Sequence, residues 1–394
     1  MYLTTNISPL ASWLLLCCAV CVLLLGAIYF FRVWNVVKYR RRSESTTTVK
    51  ENDSYLSASI IIYSQSEADT LANTLKAIFS QDYPADFEVI VVNDGESADI
   101  RDTVSFFRST YPNLYLTFTP EGVVNLSRKK LALTLGIKAA RYEVLVLTTN
   151  AVDIPSSLWL KSIMSPFEKG GKTEVALGFS YADPADDTYI GKRTRAFDYV
   201  ADNVRWLSVA IAGKAFRGTE YNIAYLKDTF MRNKGFARTL NLYNGDDDIF
   251  VSEIARKGNT AVVLSEDSMV RLRHGNHPRI FSDHAIRRIF TERFIRRRPR
   301  FLAALTGWLQ MAIIATATAA SVVEFPNVVP AIASITAVII MFALDIFTWR
   351  AAMKALKSRS LLFTLPWLST TYPLRRFSRQ IRSIIGKHKK YTWD

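Results

Sequence analysis

Three long apolar runs constrain this chain more than any other feature of its sequence. They cover residues 10–31, 301–323 and 328–349. A helix rises ~1.5 Å per residue, so a run of about 20 residues can cross a hydrocarbon core ~30 Å thick. The sequence therefore predicts an N-terminal membrane helix and a C-terminal membrane hairpin. The one charge inside these runs, Asp345, is near the end of the third, and we expect it to reach the membrane interface.

Each of the three runs has basic residues at one of its two ends. Lys38 and residues 40–42 follow the first run, residues 296–300 precede the second, and residues 350–359 contain further lysines and arginines. The positive-inside rule assigns such flanks to the cytoplasm, whereas a cleaved signal peptide has its basic residues ahead of the apolar run. We therefore expect an uncleaved multi-pass protein of the inner, cytoplasmic membrane. Its N-terminus is predicted outside and residues 50–295 in the cytoplasm.

The excess of positive charge agrees with a membrane location. The formal net charge is +15, and much of it comes from the basic flanks. Such clusters attract anionic lipid headgroups, so we expect membrane lipids, and no nucleic acid, as partners. Cys17, Cys18 and Cys21 all lie in the first apolar run, which argues against a disulfide framework.

Composition divides the chain into five parts. They are an anchor with its basic flank (1–42), a polar linker (43–56), a globular domain (57–295), a membrane hairpin (296–350) and a basic tail (351–394). In the tail, arginines alternate with an apolar helical face that consists of Leu374, Phe377, Ile381, Ile384 and Ile385. This pattern predicts an amphipathic helix at the membrane interface, or alternatively a helix packed on the protein.

The globular domain shows the pattern of an α/β fold. Short apolar runs at residues 58–63, 87–92 and 144–147 have the character of buried strands, and helical patterns separate them. Strands that alternate with helices predict a mostly parallel central sheet. Ligands of such sheets collect at the carboxyl ends of the strands, so the polar residues there are the first candidates for chemistry.

Two groups of carboxylates stand out in this domain. Asp94 follows a buried strand and precedes Gly95, a position suited to binding a nucleotide, although an Asx-turn is the alternative. Residues 246–248 are three consecutive aspartates, which repel one another and are costly to keep together unless they are solvated, bind a metal or act in catalysis. One of the three also suits the N-cap of the helix that follows.

These motifs occur in an order that resembles a family 2 glycosyltransferase of GT-A fold, the group that contains cellulose, chitin and hyaluronan synthases. Residues 81–84 (Gln-Asp-Tyr-Pro) and 87–95 resemble the opening of the family, and Lys129 begins a match to its Lys-x-x-Ala-Leu segment. Residues 216–222 resemble the loop beside donor sugar and acceptor. Residues 245–247 stand where the family has its Glu-Asp motif. The resemblance covers residues 57–295 and implies a nucleotide-diphospho-sugar transferase domain.

The resemblance also implies roles for individual residues. Asp247 corresponds to the general base, and Asp246 or Asp248 takes that role if the register shifts. Arg287 lies in a weak match to the family's Gln-x-x-Arg-Trp motif and would stabilise the leaving diphosphate, unless it is only one of many juxtamembrane basic residues. The other implied site residues are Asp94, Asn93 and Lys129 for the nucleotide, and Gly218, Thr219 and Asn222 in the donor and acceptor loop.

The metal motif of the family is degenerate in this sequence. Its Asp-x-Asp pattern aligns with Asn150, Ala151 and Val152, and Asp153 comes one position late. A valine cannot ligate a hard cation such as Mg²⁺ or Mn²⁺. A divalent metal held by Asn150 and Asp153 is therefore the implied cofactor, with an incomplete ligand set.

The predicted function is inverting sugar transfer from a nucleotide-diphospho-sugar donor to a glycan or lipid-linked acceptor. The transferred group would be a hexosyl or N-acetylhexosaminyl unit, in envelope polysaccharide synthesis at the cytoplasmic membrane face. Because the metal motif is degenerate, the alternative is a catalytically impaired scaffold subunit of a polysaccharide assembly complex.

Overall fold

A computed structural model describes residues 7–46, 55–64, 68–95, 97–120, 122, 126–273, 277–295 and 298–385. The chain forms two compact units. A helical unit contains Met1–Lys38, Gly191–Ser208 and Arg297–Ser378, and an α/β unit contains Tyr39–Ile190, Val209–Arg296 and Arg379–Asp394.

The helices and strands follow one another along the chain in the order expected of alternating α/β structure between apolar ends. The helices are α1 (Pro9–Ile28), α2 (Trp34–Thr46), α3 (Ala68–Phe79), α4 (Ala98–Arg108), α5 (Arg128–Ala139), α6 (Trp159–Met164), α7 (Lys192–Ile211), α8 (Lys227–Arg232), α9 (Ile249–Ile254), α10 (Pro278–Thr291), α11 (Arg298–Val323), α12 (Val328–Ala355) and α13 (Leu365–Ile385). The strands are β1 (Ala58–Ser64), β2 (Phe87–Asn93), β3 (Leu114–Phe118), β4 (Val144–Thr149), β5 (Val152–Asp153), β6 (Val175–Leu177), β7 (Ser180–Tyr181), β8 (Ile223–Leu226), β9 (Thr260–Val262) and β10 (Val270–Leu272).

The α/β unit is built on a seven-stranded sheet with the strand order β3-β2-β1-β4-β8-β6-β9. The first four strands are parallel, whereas β8 runs antiparallel to both β4 and β6. A second sheet has the order β5-β10-β7. The predicted α/β class with a mostly parallel central sheet is confirmed.

Burial explains why β1, β2 and β4 lie at the middle of this sheet. Every residue of β4 is buried, as are nearly all of β1 and β2, so their apolar runs are covered on both faces. Helix α5 covers one face closely at Gly136. A Cβ atom there would lie 2.8 Å from Val92 and 2.9 Å from Ile61, so only glycine permits this approach.

The carboxyl ends of the parallel strands form the edge that carries the polar candidates. Strand β2 ends at Asn93 and is followed by Asp94, and β4 ends at Thr149 and is followed by Asn150. Both strands pair in parallel with β1, between them, so these residues lie at one edge of the sheet. This is the edge where parallel α/β sheets bind ligands.

Among the described residues, three helical stretches have the length and composition to cross a membrane. They contain Pro9–Glu44, Leu305–Val323 and Val328–Ala355. The backbone N–H of Ser8 donates to Glu324 Oε1 at 2.9 Å. The beginning of α1 and the turn between α11 and α12 therefore lie at the same end of the helical unit.

The structure corrects the expectation for Asp345. Helix α12 continues to Ala355, so Asp345 lies well inside the helix and is fully buried. Its carboxylate accepts hydrogen bonds from Tyr29 Oη at 2.5 Å, Gln310 Nε2 at 2.9 Å and Ser369 Oγ at 2.6 Å. A buried carboxylate needs such partners, and these contacts hold it inside the unit instead of at an interface.

Helix α13 has the predicted amphipathic character. Arg375 forms an ion pair with Asp198 of α7 at 2.6 Å, and Arg376 forms one with Asp202 at 3.0 Å. Its apolar face is exposed at Leu374, Phe377, Ile381, Ile384 and Ile385. The helix therefore packs on the protein through its basic face and also presents an uncovered apolar face, so the two alternatives from the sequence are compatible.

Candidate active site

The turn at residues 245–248 places three carboxylates at the beginning of α9. Gly245 has a φ of 108°, in the left-handed region that glycine adopts without strain. Asp248 is the N-cap of α9 and accepts a hydrogen bond from the Ile249 N–H at 2.8 Å. It also accepts a hydrogen bond from Thr291 and lies 3.6 Å from the Arg217 guanidinium. Asp248 is thus the capping residue of the three, and both of its carboxylate oxygens already have partners.

Asp246 is held in the ionised form by a lysine. Its carboxylate lies 2.7 Å from Lys129 Nζ, and the same ammonium group donates to Glu220. Burial is the largest single effect and raises the pKa of Asp246, but the charge and hydrogen bond of Lys129 together with the charge of Lys130 outweigh it, so the pKa is lowered. A carboxylate that is buried, ionised and paired is a poor proton acceptor at neutral pH.

Among the described residues, Asp247 is the carboxylate of the turn whose side chain forms no hydrogen bond or ion pair. Its backbone carbonyl accepts from the Gly218 N–H at 3.1 Å, which fixes the residue. Its side chain is half-buried and accepts no hydrogen bond from the residues that the structure describes. Burial and then the charges of Asp248 and Asp246 raise the pKa of Asp247 to about 7. A general base is most effective when its pKa is close to the working pH.

Two openings meet at Asp247. One is lined by Tyr63, Lys129 and apolar residues of α5, β4 and β8, and the other by His284, Arg287 and Arg288 of α10. Glu220, Asp246 and Asp247 line both openings. The Asp247 carboxylate is therefore part of the wall between the two openings.

Helix α10 gives the second opening its positive charge. The guanidinium of Arg287 lies 5.6 Å from the centre of the Tyr243 ring, and the Arg288 carbonyl accepts from Arg217 at 3.0 Å. Burial and then the two neighbouring arginines lower the pKa of His284 to about 3, so this imidazole is neutral. It lies 3.3 Å from Tyr221 Oη. The charge that α10 presents to an anion therefore comes from arginine.

Asp94 lies at the end of β2, as predicted, but its side chain is only 1% exposed. It accepts hydrogen bonds from Tyr63 Oη at 2.7 Å and Arg128 Nε at 2.9 Å. Asn93 bonds to the backbone of Ser97, accepting from its N–H at 3.3 Å and donating to its carbonyl at 3.0 Å. Asn93 thus holds the turn after β2, and Asp94 orients the aromatic and basic side chains that cover it.

In the predicted donor and acceptor loop, Gly218 supports the site, whereas Thr219 and Asn222 are buried in the protein. Gly218 holds the backbone of Asp247, and Thr219 is buried with its Oγ1 3.4 Å from Ser180 Oγ. Asn222 is fully buried: it donates to the carbonyls of Phe179 and Ser268 and accepts from Trp159. The structure therefore gives Asn222 a role in joining strands and loops, and its amide has no free group for a substrate.

The sequence pattern of glycosyl transferase family 2 matches residues 59–234. This stretch of the chain is therefore similar to a family 2 glycosyltransferase domain. The match contains β1, the turn after β2, Lys129 and the loop with Gly218, so it includes one side of the site described above.

Two known proteins are similar to this chain. The poly-beta-1,6-N-acetyl-D-glucosamine synthase of Staphylococcus epidermidis is 27% identical over 120 residues, which are 30% of this chain and 27% of that protein. The chain thus matches only about a quarter of that relative's length. A solved structure of the mannosyltransferase PcManGT from Pyrobaculum calidifontis, in complex with GDP-Man and Mn²⁺, superimposes with a TM-score of 0.54 and 17% identity. The alignment covers 94% of this chain and 100% of that one, and it shows that the fold is GT-A.

The residues that align with the metal motif do not form a metal site within the part of the chain that the structure describes. Within the described residues, no group of three or more His, Cys, Asp or Glu side chains is arranged to hold an ion. Val152 is fully buried, and Asn150 Nδ2 donates to Thr70 Oγ1 at 3.1 Å. Asp153 forms an ion pair with Arg273 at 2.5 Å. The residues at the expected metal position therefore do not fit a divalent cation, because the carboxylate is neutralised by an arginine.

Several residues of the site were not predicted from the sequence. Glu220 lies in the loop that was identified, but its contact with Lys129 joins positions 91 residues apart. Lys130 is fully buried and donates to the carbonyls of Thr239 at 2.6 Å and Asn244 at 2.9 Å. The run of three basic residues at 128–130, at the beginning of a helical pattern, was the available signal for Arg128 and Lys130.

Proposed function

We propose that this glycosyltransferase transfers a sugar from a nucleotide-diphospho-sugar to a hydroxyl-bearing acceptor, with inversion at the anomeric carbon. The observation that carries the proposal is the Asp247 carboxylate, which forms no hydrogen bond or ion pair with the described residues and has a pKa raised to about 7. It lies where two openings meet, and one of them has two arginines in its lining. Together these features supply a base for the acceptor and positive charge for a leaving diphosphate.

In the proposed reaction, Asp247 accepts the proton of the acceptor hydroxyl while that oxygen attacks the anomeric carbon. The new carbon–oxygen bond forms on the face opposite the diphosphate, so the configuration inverts. The bond from the anomeric carbon to the diphosphate oxygen breaks, and the diphosphate leaves with the electron pair. Positioning of the two reactants supplies much of the rate in such a step.

Arginine is suited to stabilise the leaving group. A guanidinium group stays charged at all physiological pH values and forms paired hydrogen bonds with phosphate oxygens. Arg287 and Arg288 are consecutive in α10, and both line the opening that contains Asp247. We assign them to the diphosphate that develops charge as the sugar departs.

Membrane features support a lipid-linked or glycan acceptor at the cytoplasmic membrane face. Three candidate spans and the exposed apolar face of α13 provide attachment, and the basic flanks favour the cytoplasmic side for residues 50–295. The partial similarity to a poly-N-acetylglucosamine synthase supports a hexosyl or N-acetylhexosaminyl unit and a role in envelope polysaccharide synthesis.

Matched substitutions in the full-length protein, purified in detergent, test the proposal. Asp247→Asn keeps the size of the side chain but removes the base, so sugar transfer should fall about 10²-fold or more while nucleotide binding stays normal. Asp94→Ala should weaken nucleotide binding, because Tyr63 and Arg128 lose the carboxylate that orients them. Asp228→Asn, at an exposed ion pair of α8, is the control and should change neither quantity.

The same measurements separate the proposal from its alternatives. Normal transfer by Asp247→Asn together with loss of transfer in Asp246→Asn would assign the base to Asp246. No donor hydrolysis or transfer with a panel of nucleotide sugars, in a protein that is folded, would favour the scaffold function.

A further inference from the structure

The turn after β4 is in contact with a positively charged side chain, that of Arg273. Strand β5 pairs antiparallel with β10, with Asp153 opposite Arg271 and Val152 opposite Leu272. The next residue, Arg273, continues this pairing, since its N–H donates to the carbonyl of Ala151 at 2.9 Å. The backbone thus brings Arg273 against the segment that aligns with the metal motif.

The side chain of Arg273 binds the oxygen atoms of this turn. Its Nε donates to Asp153 Oδ1 at 2.6 Å, and its Nη2 lies 2.5 Å from the same oxygen. Its Nη1 donates to the Asn150 carbonyl at 3.2 Å and to the Thr70 carbonyl of α3 at 2.9 Å. The side chain is only 13% exposed, so it is fixed by these contacts as well as by packing.

These contacts use the groups that a hard cation would need. Mg²⁺ and Mn²⁺ are bound by carboxylate and carbonyl oxygens, and at this turn such oxygens come from Asp153 and Asn150. Both already accept from one guanidinium. Placing a second cation beside that group would bring like charges together in a partly buried site, which opposes metal binding.

We propose that Arg273 takes the place of the divalent cation at this turn, so that the donor diphosphate binds without metal. The inference rests on the proposed function, because it concerns how the same donor is held. Arg273 is a permanent cation at the carboxyl edge of the sheet, where it balances the charge of Asp153 and fixes the turn that follows β4. Arg287 and Arg288 supply the remaining charge from α10.

Two binding measurements on the full-length protein in detergent test this inference without requiring sugar transfer. Electron paramagnetic resonance follows free Mn²⁺, and calorimetry measures the affinities of UDP and GDP with Mn²⁺ or with EDTA. For the wild-type protein, we expect no loss of the free Mn²⁺ signal. We also expect nucleotide affinity to be the same in both buffers.

Variants of Arg273 and of Arg271, two residues earlier in the chain, show whether metal-independent nucleotide binding depends on Arg273. Arg273→Gln frees Asp153, so nucleotide affinity in EDTA should fall about tenfold or more, the scale of a lost charge-assisted hydrogen bond. Mn²⁺ should then restore part of it. Arg273→Lys keeps the charge but loses the shared contacts, and should bind nucleotide more weakly, still without a need for metal. Arg271→Gln removes the ion pair with Asp186 and should behave as the wild type.

The outcomes distinguish failure of this inference from failure of the proposed function. Nucleotide affinity that rises about tenfold or more with Mn²⁺ in the wild-type protein would overturn the inference and leave the proposed function intact. Equal losses in Arg273→Gln and Arg271→Gln would also overturn it. If no nucleotide binds in any buffer, the proposed donor is wrong, and Mn²⁺ uptake by the wild-type protein alone decides the inference.

Discussion

At the scale of single residues, the three consecutive aspartates of this chain have three different environments. Asp246 is ionised beside Lys129, Asp248 caps α9, and Asp247 has no hydrogen-bond partner among the described residues. Each carboxylate that has a partner raises the pKa of the one without. The repulsion that makes the triplet conspicuous in the sequence therefore contributes to tuning a single base.

This tuning predicts a pH dependence of sugar transfer. Because Asp247 acts as a base only when it is ionised, kcat/KM should rise with pH, with a midpoint near the Asp247 pKa of about 7. Asp248→Asn removes one of the charges that raise this pKa, while asparagine can still cap α9. The midpoint should then move to lower pH in a pH–rate profile.

An exposed carboxylate provides the control for this shift. Asp228→Asn should leave the midpoint unchanged, since Asp228 belongs to a surface ion pair of α8. A wild-type profile that is flat between pH 5 and 8 would contradict the assignment of Asp247 as the base with a raised pKa.

The sequence reveals some of these residues better than others. Asp247 and Arg287 belong to recognisable motifs, and the structure finds both beside the same opening. Asn93 and Asn222 belong to motifs too, but their amides are used to hold the backbone. A motif identifies which residues are constrained, whereas the direction of each side chain depends on contacts between distant parts of the chain. The pairing of Arg273 with Asp153, 120 residues away, illustrates this limit.

At the scale of secondary structure, long elements are predicted well and short ones poorly. The apolar runs that predict β1, β2 and β4 differ from the observed strands by only one or two residues at their ends. Strands β5 and β7 contain two residues each, so they have no periodicity that a sequence pattern can detect. They form because β10 pairs with both of them.

A buried lysine of α5 links this helix to the catalytic turn. Lys130 donates to the carbonyls of Thr239 and Asn244. Asn244 directly precedes Gly245, the first residue of the catalytic turn. Lys130→Met removes the donor to the Asn244 carbonyl, whereas the Thr239 carbonyl still accepts from the Leu242 N–H. The loss of one donor to a buried carbonyl costs about 1–3 kcal/mol. We expect a lower free energy of unfolding in denaturant titrations, and faster amide hydrogen exchange across residues 244–250.

Lys138 of the same helix offers a matched comparison, because its side chain is exposed in the last turn. Lys138→Met should change the free energy of unfolding by no more than about 0.5 kcal/mol, as is usual for surface substitutions. Unchanged exchange at residues 244–250 in Lys130→Met would show that the lysine does not support the turn.

At the scale of the whole molecule, the apolar runs and the basic flanks predict one topology. The hydrogen bond from Ser8 to Glu324 agrees with it, because it brings the beginning of α1 and the turn after α11 to one end of the helical unit. In the predicted topology both lie outside. Asp345 shows what patterns cannot reveal at this scale, since its partners come from α1, α11 and α13.

Cysteine labelling in intact cells tests this topology. The natural cysteines, Cys17, Cys18 and Cys21, are first replaced by alanine. Phe325→Cys then puts a thiol at the exposed turn between α11 and α12, and Lys169→Cys puts one at an exposed site of the α/β unit. Phe325→Cys should react with a membrane-impermeant maleimide, whereas Lys169→Cys should react only after the cells are opened. The physical reason is the cost of moving the basic flanks across the membrane, which keeps these flanks in the cytoplasm. The α/β unit then lies on the same side as the proposed cytoplasmic nucleotide sugar. Reaction of Lys169→Cys in sealed cells, with Phe325→Cys protected, would invert the topology and remove the proposed cytoplasmic donor.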